Sequence, residues 1–219
     1  AKPFAVGVRV EHPQSLIDVA QYKEFAGHEK LGAAEYRLTH TASNGRGVYT
    51  FCMCPGGLVV PSSSEKGRLV TNGMSEHARD QDNANSALLV QVFPEDFGSD
   101  HPLAGVEFQR RLEEKAFGLG GSNYTAPAQL VGDFLKGQAS KKLGSVTPSY
   151  ALGVKLTNLR RLLPDYITDA MADGLQAFDR KLKGFAMDDA VMTGVESRSS
   201  SPVRMDRDSE TLQSLTVKG

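Results

Sequence analysis

The chain has 219 residues, 40% of them hydrophobic, which is enough to bury a full core without disulfides or structural metal ions. Its 25 basic and 26 acidic residues leave a net charge of -1, which excludes an overall field that would draw the chain to nucleic acid or to an anionic membrane. Only two cysteines occur, and no apolar run approaches the about 20 residues of a membrane span, so we expect a cytoplasmic protein.

Alternating apolar residues predict that the chain begins with β-structure. Residues 4–10 alternate, which predicts a strand with one buried face whose neighbouring strands lie outside this chain. Residues 34–40 and 47–54 alternate on either side of Asn44-Gly45, which predicts a hairpin with Cys52 and Cys54 on one face. Further candidates are a short helix over residues 16–22 and strands over residues 58–60, 68–71 and 86–93.

From residue 99 the apolar spacing becomes that of helices. Asp100 and Pro102 are typical of a helix start, and the glycines at 118–121 of its end. Three more helical segments are predicted: one from Thr125, a short one over residues 156–162, and a longer one from Pro164 with an apolar stripe. After them come a predicted strand over residues 190–196, a loop over residues 197–204 and an extended segment over residues 211–219.

This order of elements predicts the α+β class. We expect a β-rich body, mixed or antiparallel and barrel-like, formed by residues 1–98 and 186–219. An inserted helical subdomain covers residues 99–185. It is either a movable lid or a rigidly packed unit.

The segment from Thr50 to Gly57 holds both cysteines and ends in a Gly-Gly turn, where the main chain can approach a ligand closely. Two residues apart on a strand, Cys52 and Cys54 have Cα atoms about 7 Å apart, the far limit for a disulfide. No histidine has a zinc-like spacing to them, so we expect no metal. They are interpreted as two packed thiols, as thiols beside a cofactor, or as a redox sensor with a lowered pKa.

The other candidate site is the loop over residues 197–204, where hydroxyl and guanidinium groups follow a predicted strand. Arg198 and Arg204 offer forked donors for an anion or a cofactor edge, and the alternative is a solvated polar loop. The glycines at 118–121 follow a helix and not a strand, so they do not form a dinucleotide-binding fingerprint.

Several long motifs of the chain together resemble one protein family. They are residues 2–13, residues 49–57 with the sequence Tyr-Thr-Phe-Cys-Met-Cys-Pro-Gly-Gly, residues 72–75, residues 83–90, and residues 196–204 with the sequence Glu-Ser-Arg-Ser-Ser-Ser-Pro-Val-Arg. In this order they are similar to the bacterial flavoproteins usually called uncharacterised FAD-dependent dehydrogenases, relatives of the glutathione-reductase-like two-segment flavoproteins.

The resemblance implies that the chain is the substrate or cap domain of an FAD-dependent oxidoreductase. In that family two Gly-rich segments hold FAD, and this sequence contains neither. The implied cofactor is therefore FAD in the full-length parent, with none held by this piece alone. The implied partners are the FAD domain of the same polypeptide and a small-molecule substrate, without nucleic acid or membrane.

The resemblance also implies which residues face the pocket. On the cofactor side these are Arg198, Ser199, Ser200, Pro202 and Arg204. On the substrate side these are Cys52, Cys54, Gly56 and Gly57, with Cys54 as the candidate catalytic group. The alternative function is a non-catalytic binding or partner-docking module, with the helical region as its interaction surface.

Overall fold

A computed structural model describes residues 1–217 of the chain, which form nine strands and four α-helices. The strands are β1 (Phe4–Pro13), β2 (Thr39–Thr41), β3 (Gly47–Cys54), β4 (Gly57–Pro61), β5 (Thr71–Ser75), β6 (Asn83–Val92), β7 (Ala126–Leu130), β8 (Val154–Leu156) and β9 (Val191–Glu196). The α-helices are α1 (Gln14–Tyr22), α2 (Ala104–Gly120), α3 (Val131–Leu135) and α4 (Asp165–Lys181). Short 3-10 turns cover Lys23–Phe25, Pro94–Phe97 and Leu159–Arg161.

Seven strands form one large sheet in the order β2-β3-β6-β1-β9-β7-β8. Neighbouring strands are antiparallel except β7 and β8, which are parallel. Within the described residues the sheet is open, with β2 and β8 at its edges, so it is not closed into a barrel. The predicted α+β class with a mainly antiparallel sheet is confirmed.

The two faces of the sheet are covered differently. On one face Val6, Val8 and Val10 of β1 join a single apolar core with α2 and α4. The α4 stripe predicted from the sequence is buried there and comprises Ile167, Met171, Leu175 and Phe178. Over the opposite face lies the separate antiparallel pair of β4 and β5.

This covering pair corrects the interpretation of the first strand. We expected β1 to have one buried face, but its alternate residues Ala5, Arg9 and Glu11 are buried as well, because β1 is central and β5 lies over it. The expectation that its neighbours lie outside this chain was also wrong. Strand β1 pairs along both edges, with β6 and with β9.

Two local predictions were wrong for identifiable reasons. Cys52 and Cys54 do not share a face, because Cys52 has φ +44° and the pairing with β6 shifts register between Phe51 and Cys54. The helix predicted from Thr125 is instead strand β7 followed by the five-residue α3, because apolar residues of β7 pair with β8 and β9.

Other segments differ in their bounds: β2 covers Thr39–Thr41 and not residues 34–40, and α2 begins at Ala104 and not near Asp100. Strand β5 covers Thr71–Ser75 and not residues 68–71, and the short helical segment expected at 156–162 is the end of β8 followed by a 3-10 turn. In the segment predicted as extended at 211–219, Ser214 alone forms a β-bridge, to the preceding Arg207, and the last two residues lie outside the described chain.

The proposed division into a β-rich body and a helical subdomain stays a prediction. Residues 99–185 contribute β7 and β8 to the edge of the large sheet as well as α2, α3 and α4. The apolar core is shared between these helices and the strands of both flanking segments.

Candidate functional site

The side chain of Arg9 is the centre of the polar network that joins the two candidate regions. It lies on the face of β1 beneath β5 and is completely buried. A Cβ added at Gly73 of β5 would lie 2.7 Å from Arg9 Cζ, so only glycine fits above the guanidinium group. The close approach of β5 therefore encloses Arg9 and removes it from water.

All five N–H donors of Arg9 have acceptors. Nε donates to Glu196 Oε2 at 2.8 Å and Nη2 to Glu196 Oε1 at 3.3 Å, which is a forked pair. The remaining bonds go to Cys52 O at 2.7 Å, Asn72 Oδ1 at 2.9 Å and Asn85 Oδ1 at 3.3 Å. One side chain thus holds together the cysteine turn, β5, β6 and the end of β9.

Glu196 is the partner that balances the charge of Arg9. Burial raises the pKa of the Glu196 carboxyl, and the charge of Arg9 and its hydrogen bonds oppose that rise. Glu196 ends β9 directly before the loop over residues 197–204, and the register of β9 on β1 shifts between Gly7 and Val8. The ion pair therefore fixes the point where that loop leaves the sheet.

The two cysteines have different surroundings. Cys54 is buried, its thiol donates to Cys52 O at 3.2 Å, and burial raises the pKa of that thiol. A thiol with a raised pKa stays protonated and is a poor nucleophile. Cys52 is exposed and lines a groove of about 1080 Å³ along β2 and β3, together with Tyr49 and His40.

The glycines after the cysteines are required by the fold of the chain itself. Gly56 has φ +45°, and a Cβ added there would lie 1.9 Å from Arg79 O. A Cβ at Gly57 would lie 2.4 Å from Met74 O. The close main-chain approach expected at this turn exists, and the groups that approach are backbone atoms of the loop before β6 and of β5.

Arg198 is tied to helix α2. Its Nε and Nη2 donate to the two carboxylate oxygens of Glu113, both at 2.9 Å, and Nη1 donates to Ser64 Oγ at 2.7 Å. Glu113 is completely buried and also accepts a bond from Ser197 Oγ at 2.7 Å. Arg198 thus anchors the loop to the helix with most of its donors.

The rest of this loop contacts the start of β1. Ser199 Oγ donates to Ala5 O at 2.6 Å, and the Lys2 amide donates to Pro202 O at 2.9 Å. Pro202 is buried against Gly105 of α2. Between these anchors Ser200 is exposed and lines a cavity of about 320 Å³ with Arg198.

The sequence-predicted residues do not line one common cavity in the described chain. Cys52 lies in the groove along β3, Gly57 lines a cavity of about 420 Å³ beside residues 145–149, and Arg198 lines the smaller cavity at α2. Arg9 links the Cys52 region to the start of the Arg198 loop through its bonds to Cys52 O and Glu196. The assignment of individual residues to a cofactor or a substrate stays a prediction.

The sequence assigned no role to Arg9, Glu113, Asn72 or Asn85, although three of them lie within the motifs at residues 2–13, 72–75 and 83–90. The available signal was an arginine within an apolar alternating strand, since a buried arginine needs a carboxylate partner. Its partners lie 43 to 187 positions away, which local patterns do not reveal.

The described residues offer neither a metal centre nor a membrane-spanning helix. No group of three or more His, Cys, Asp or Glu side chains within residues 1–217 is placed to hold a metal ion. None of the helices in that part of the chain is both long and apolar enough to cross a membrane.

Comparison with known proteins gives two similarities. Residues 3–199 match the family described as "FAD-dependent protein, C-terminal domain-like". Over its whole length the chain is 57% identical, across 220 aligned residues, to a protein of Clostridium beijerinckii described as an uncharacterized protein. The chain spans 41% of the length of that relative.

Proposed function

The chain belongs to the FAD-dependent protein C-terminal domain-like family, and from this membership we propose that it is the substrate or cap domain of an FAD-dependent dehydrogenase. In this proposal the domain covers a flavin bound by other segments of a longer polypeptide. It shapes the pocket in which a small-molecule substrate meets the flavin.

The observation that supports this role is the Arg9 network. A guanidinium group with five satisfied donors fixes the cysteine turn and the start of the 197–204 loop relative to one rigid sheet. Positioning residues on loops that a rigid scaffold supports is the usual architecture of a binding site. The two segments that resemble flavoprotein motifs are thereby held at a constant distance.

The described residues fit one part of an FAD molecule and not another. Ser200 and Arg204 are exposed, and neither side chain has a hydrogen-bond partner among residues 1–217, so both can bond a polar edge. Arg198 has already used its fork on Glu113, and backbone atoms occupy the space beside Gly56 and Gly57. In the described chain we therefore find donors for a ring edge but no pyrophosphate cradle.

FAD, when bound, supplies the exchange of a hydride or an electron pair with the substrate. This chain's own contribution is to orient the substrate and to exclude water. Arg204 and Ser200 would donate hydrogen bonds to ligand oxygen or nitrogen atoms. Cys54, with its protonated thiol, would act as a packed wall and not as a nucleophile.

The alternative of a docking module built on the helical region has less support. The apolar faces of α2 and α4 are buried in the core. Between residues 99 and 185 the exposed large apolar side chains in the described structure are Leu103, Leu143 and Leu152, and these do not form a helical stripe.

The test uses the full-length polypeptide. We expect it to contain FAD, and we expect Arg204→Ala to raise the FAD dissociation constant about tenfold, the equivalent of one charged hydrogen bond. Arg161→Ala is the matched control, because Arg161 is exposed and its side chain has no hydrogen-bond partner in the described residues. Iodide quenching of flavin fluorescence should increase in the Arg204→Ala protein alone. Unchanged FAD affinity and unchanged quenching in that variant would overturn the cap assignment.

A further inference from the structure

The segment over residues 205–217, called here the 205–217 segment, exposes an unusual number of apolar side chains. Met205 is 74% exposed, Leu212 66%, Leu215 64% and Val217 68%. Four large apolar side chains within thirteen residues contrast with the isolated exposed apolar residues that a protein surface normally carries. Their exposure is unfavourable in water.

The segment has local order of its own. The amides of Glu210 and Thr211 donate to Asp208 Oδ1 at 3.1 and 2.7 Å, and the Asp208 amide donates to Gln213 O at 2.9 Å. An antiparallel bridge joins Arg207 to Ser214. The segment is thus a small folded turn that carries apolar groups, which distinguishes it from a polar linker.

Its hydrogen bonds stay within the segment. Every hydrogen bond made by residues 205–217 in the described chain has both its donor and its acceptor inside that range. The last anchors to the sheet and to α2 before it are Ser199 and Pro202. The segment therefore has no hydrogen bond to the rest of the described chain, and its four large apolar side chains are exposed.

We propose that the 205–217 segment is a docking surface for the remaining part of the same, longer polypeptide. The chain spans 41% of its 57% identical relative, so a larger protein mass is available to cover these side chains. The identity of this docking partner rests on the proposed function, in which the chain is one domain of an FAD-dependent protein. Because the segment directly follows Arg204, docking here would bring that arginine to the interface with the flavin-bearing part.

Hydrogen exchange of the full-length protein, read by mass spectrometry, tests the proposal. We expect the amides of the 205–217 segment to exchange at least about tenfold more slowly than those of the exposed turn over residues 28–32. The double variant L212N/L215N should abolish this protection. The matched control is V19N/F25N, which changes two equally exposed apolar residues on and after α1, at 58% and 60% exposure, and should leave the protection intact.

Two results would overturn the proposal. One is exchange of the 205–217 segment at the rate of the control turn. The other is protection that disappears on dilution while light scattering shows a dimer dissociating, since the occupant would then be a second copy. The FAD content of the full-length protein separates this inference from the proposed function. Slow exchange of the 205–217 segment in a protein that contains no FAD would support docking and refute the flavin role. Bound FAD with fast exchange of the segment would refute docking alone.

Discussion

Replacing Arg9 by methionine is the most demanding test of the network that joins the candidate regions. Arg9→Met keeps much of the buried volume but removes the charge and all five donors. Glu196 then remains buried, and no other donor to its carboxylate occurs in the described chain. Asn85 Oδ1 loses its donor as well, whereas Cys52 O and Asn72 Oδ1 keep one each.

The magnitude follows from these losses. Removing one partner of a buried ion pair costs about 3–5 kcal/mol, and an unsatisfied buried acceptor such as Asn85 Oδ1 adds about 1–3 kcal/mol. We therefore expect Arg9→Met to lower the free energy of unfolding by about 4 kcal/mol or more. Since domains are stable by only about 5–15 kcal/mol, this loss is a large part of the total.

The assay is urea denaturation followed by circular dichroism at 25 °C. The exposed pair of Arg79 and Glu35 is the control, and Arg79→Met should cost less than about 1 kcal/mol. The double variant R9M/E196L should recover part of the loss, because it removes the unpaired buried carboxylate. A loss below about 1 kcal/mol for Arg9→Met, or no recovery in the double variant, would refute the reasoning.

Three further predictions concern single groups. Burial lowers the pKa of His12 to about 4, so between pH 6.5 and about 4 the unfolded chain binds a proton that the folded chain does not. The free energy of unfolding should therefore fall by about 3 kcal/mol as the pH drops through this window. Urea titrations at several pH values should show that this loss is missing in His12→Asn. Iodoacetamide should modify exposed Cys52 in the native protein and buried Cys54 only after unfolding, and equal labelling rates by mass spectrometry would contradict the structure. Gly56→Ala should lower the free energy of unfolding, measured by urea denaturation, by about 1–3 kcal/mol more than Gly67→Ala does. Both glycines have positive φ, but only Gly56 lacks space for a methyl group. Equal losses in the two variants would argue against the close contact at Gly56.

The sequence predicted those elements whose pattern is local. The spacing of Ile167, Met171, Leu175 and Phe178 identified α4, since one apolar face of a helix determines both its period and its burial. The alternation of residues 4–10 identified β1 for the same reason. These elements depend on the residues themselves more than on distant partners.

Predictions that depended on tertiary contacts were less successful. The segment starting at Thr125 has apolar residues that suit a helix, but pairing with β8 and β9 makes Ala126–Leu130 a strand. Cys52 adopts φ +44°, which no propensity of cysteine indicates, and so the two cysteines point to different surroundings. The candidate regions were recognised by their motifs, but the arginine that joins them was identified only from the fold.

The separation of Arg9 from its partners also has a consequence for folding kinetics. Arg9 bonds residues 43, 63, 76 and 187 positions away, so its network is completed only when distant parts of the chain have come together. We therefore predict that this network forms after the transition state, once the shorter loops have closed. Substituting Arg9 should therefore accelerate unfolding more than it slows refolding. In this prediction the ion pair stabilises the domain after it has assembled. It lengthens the lifetime of the folded state and has a smaller effect on the rate of folding.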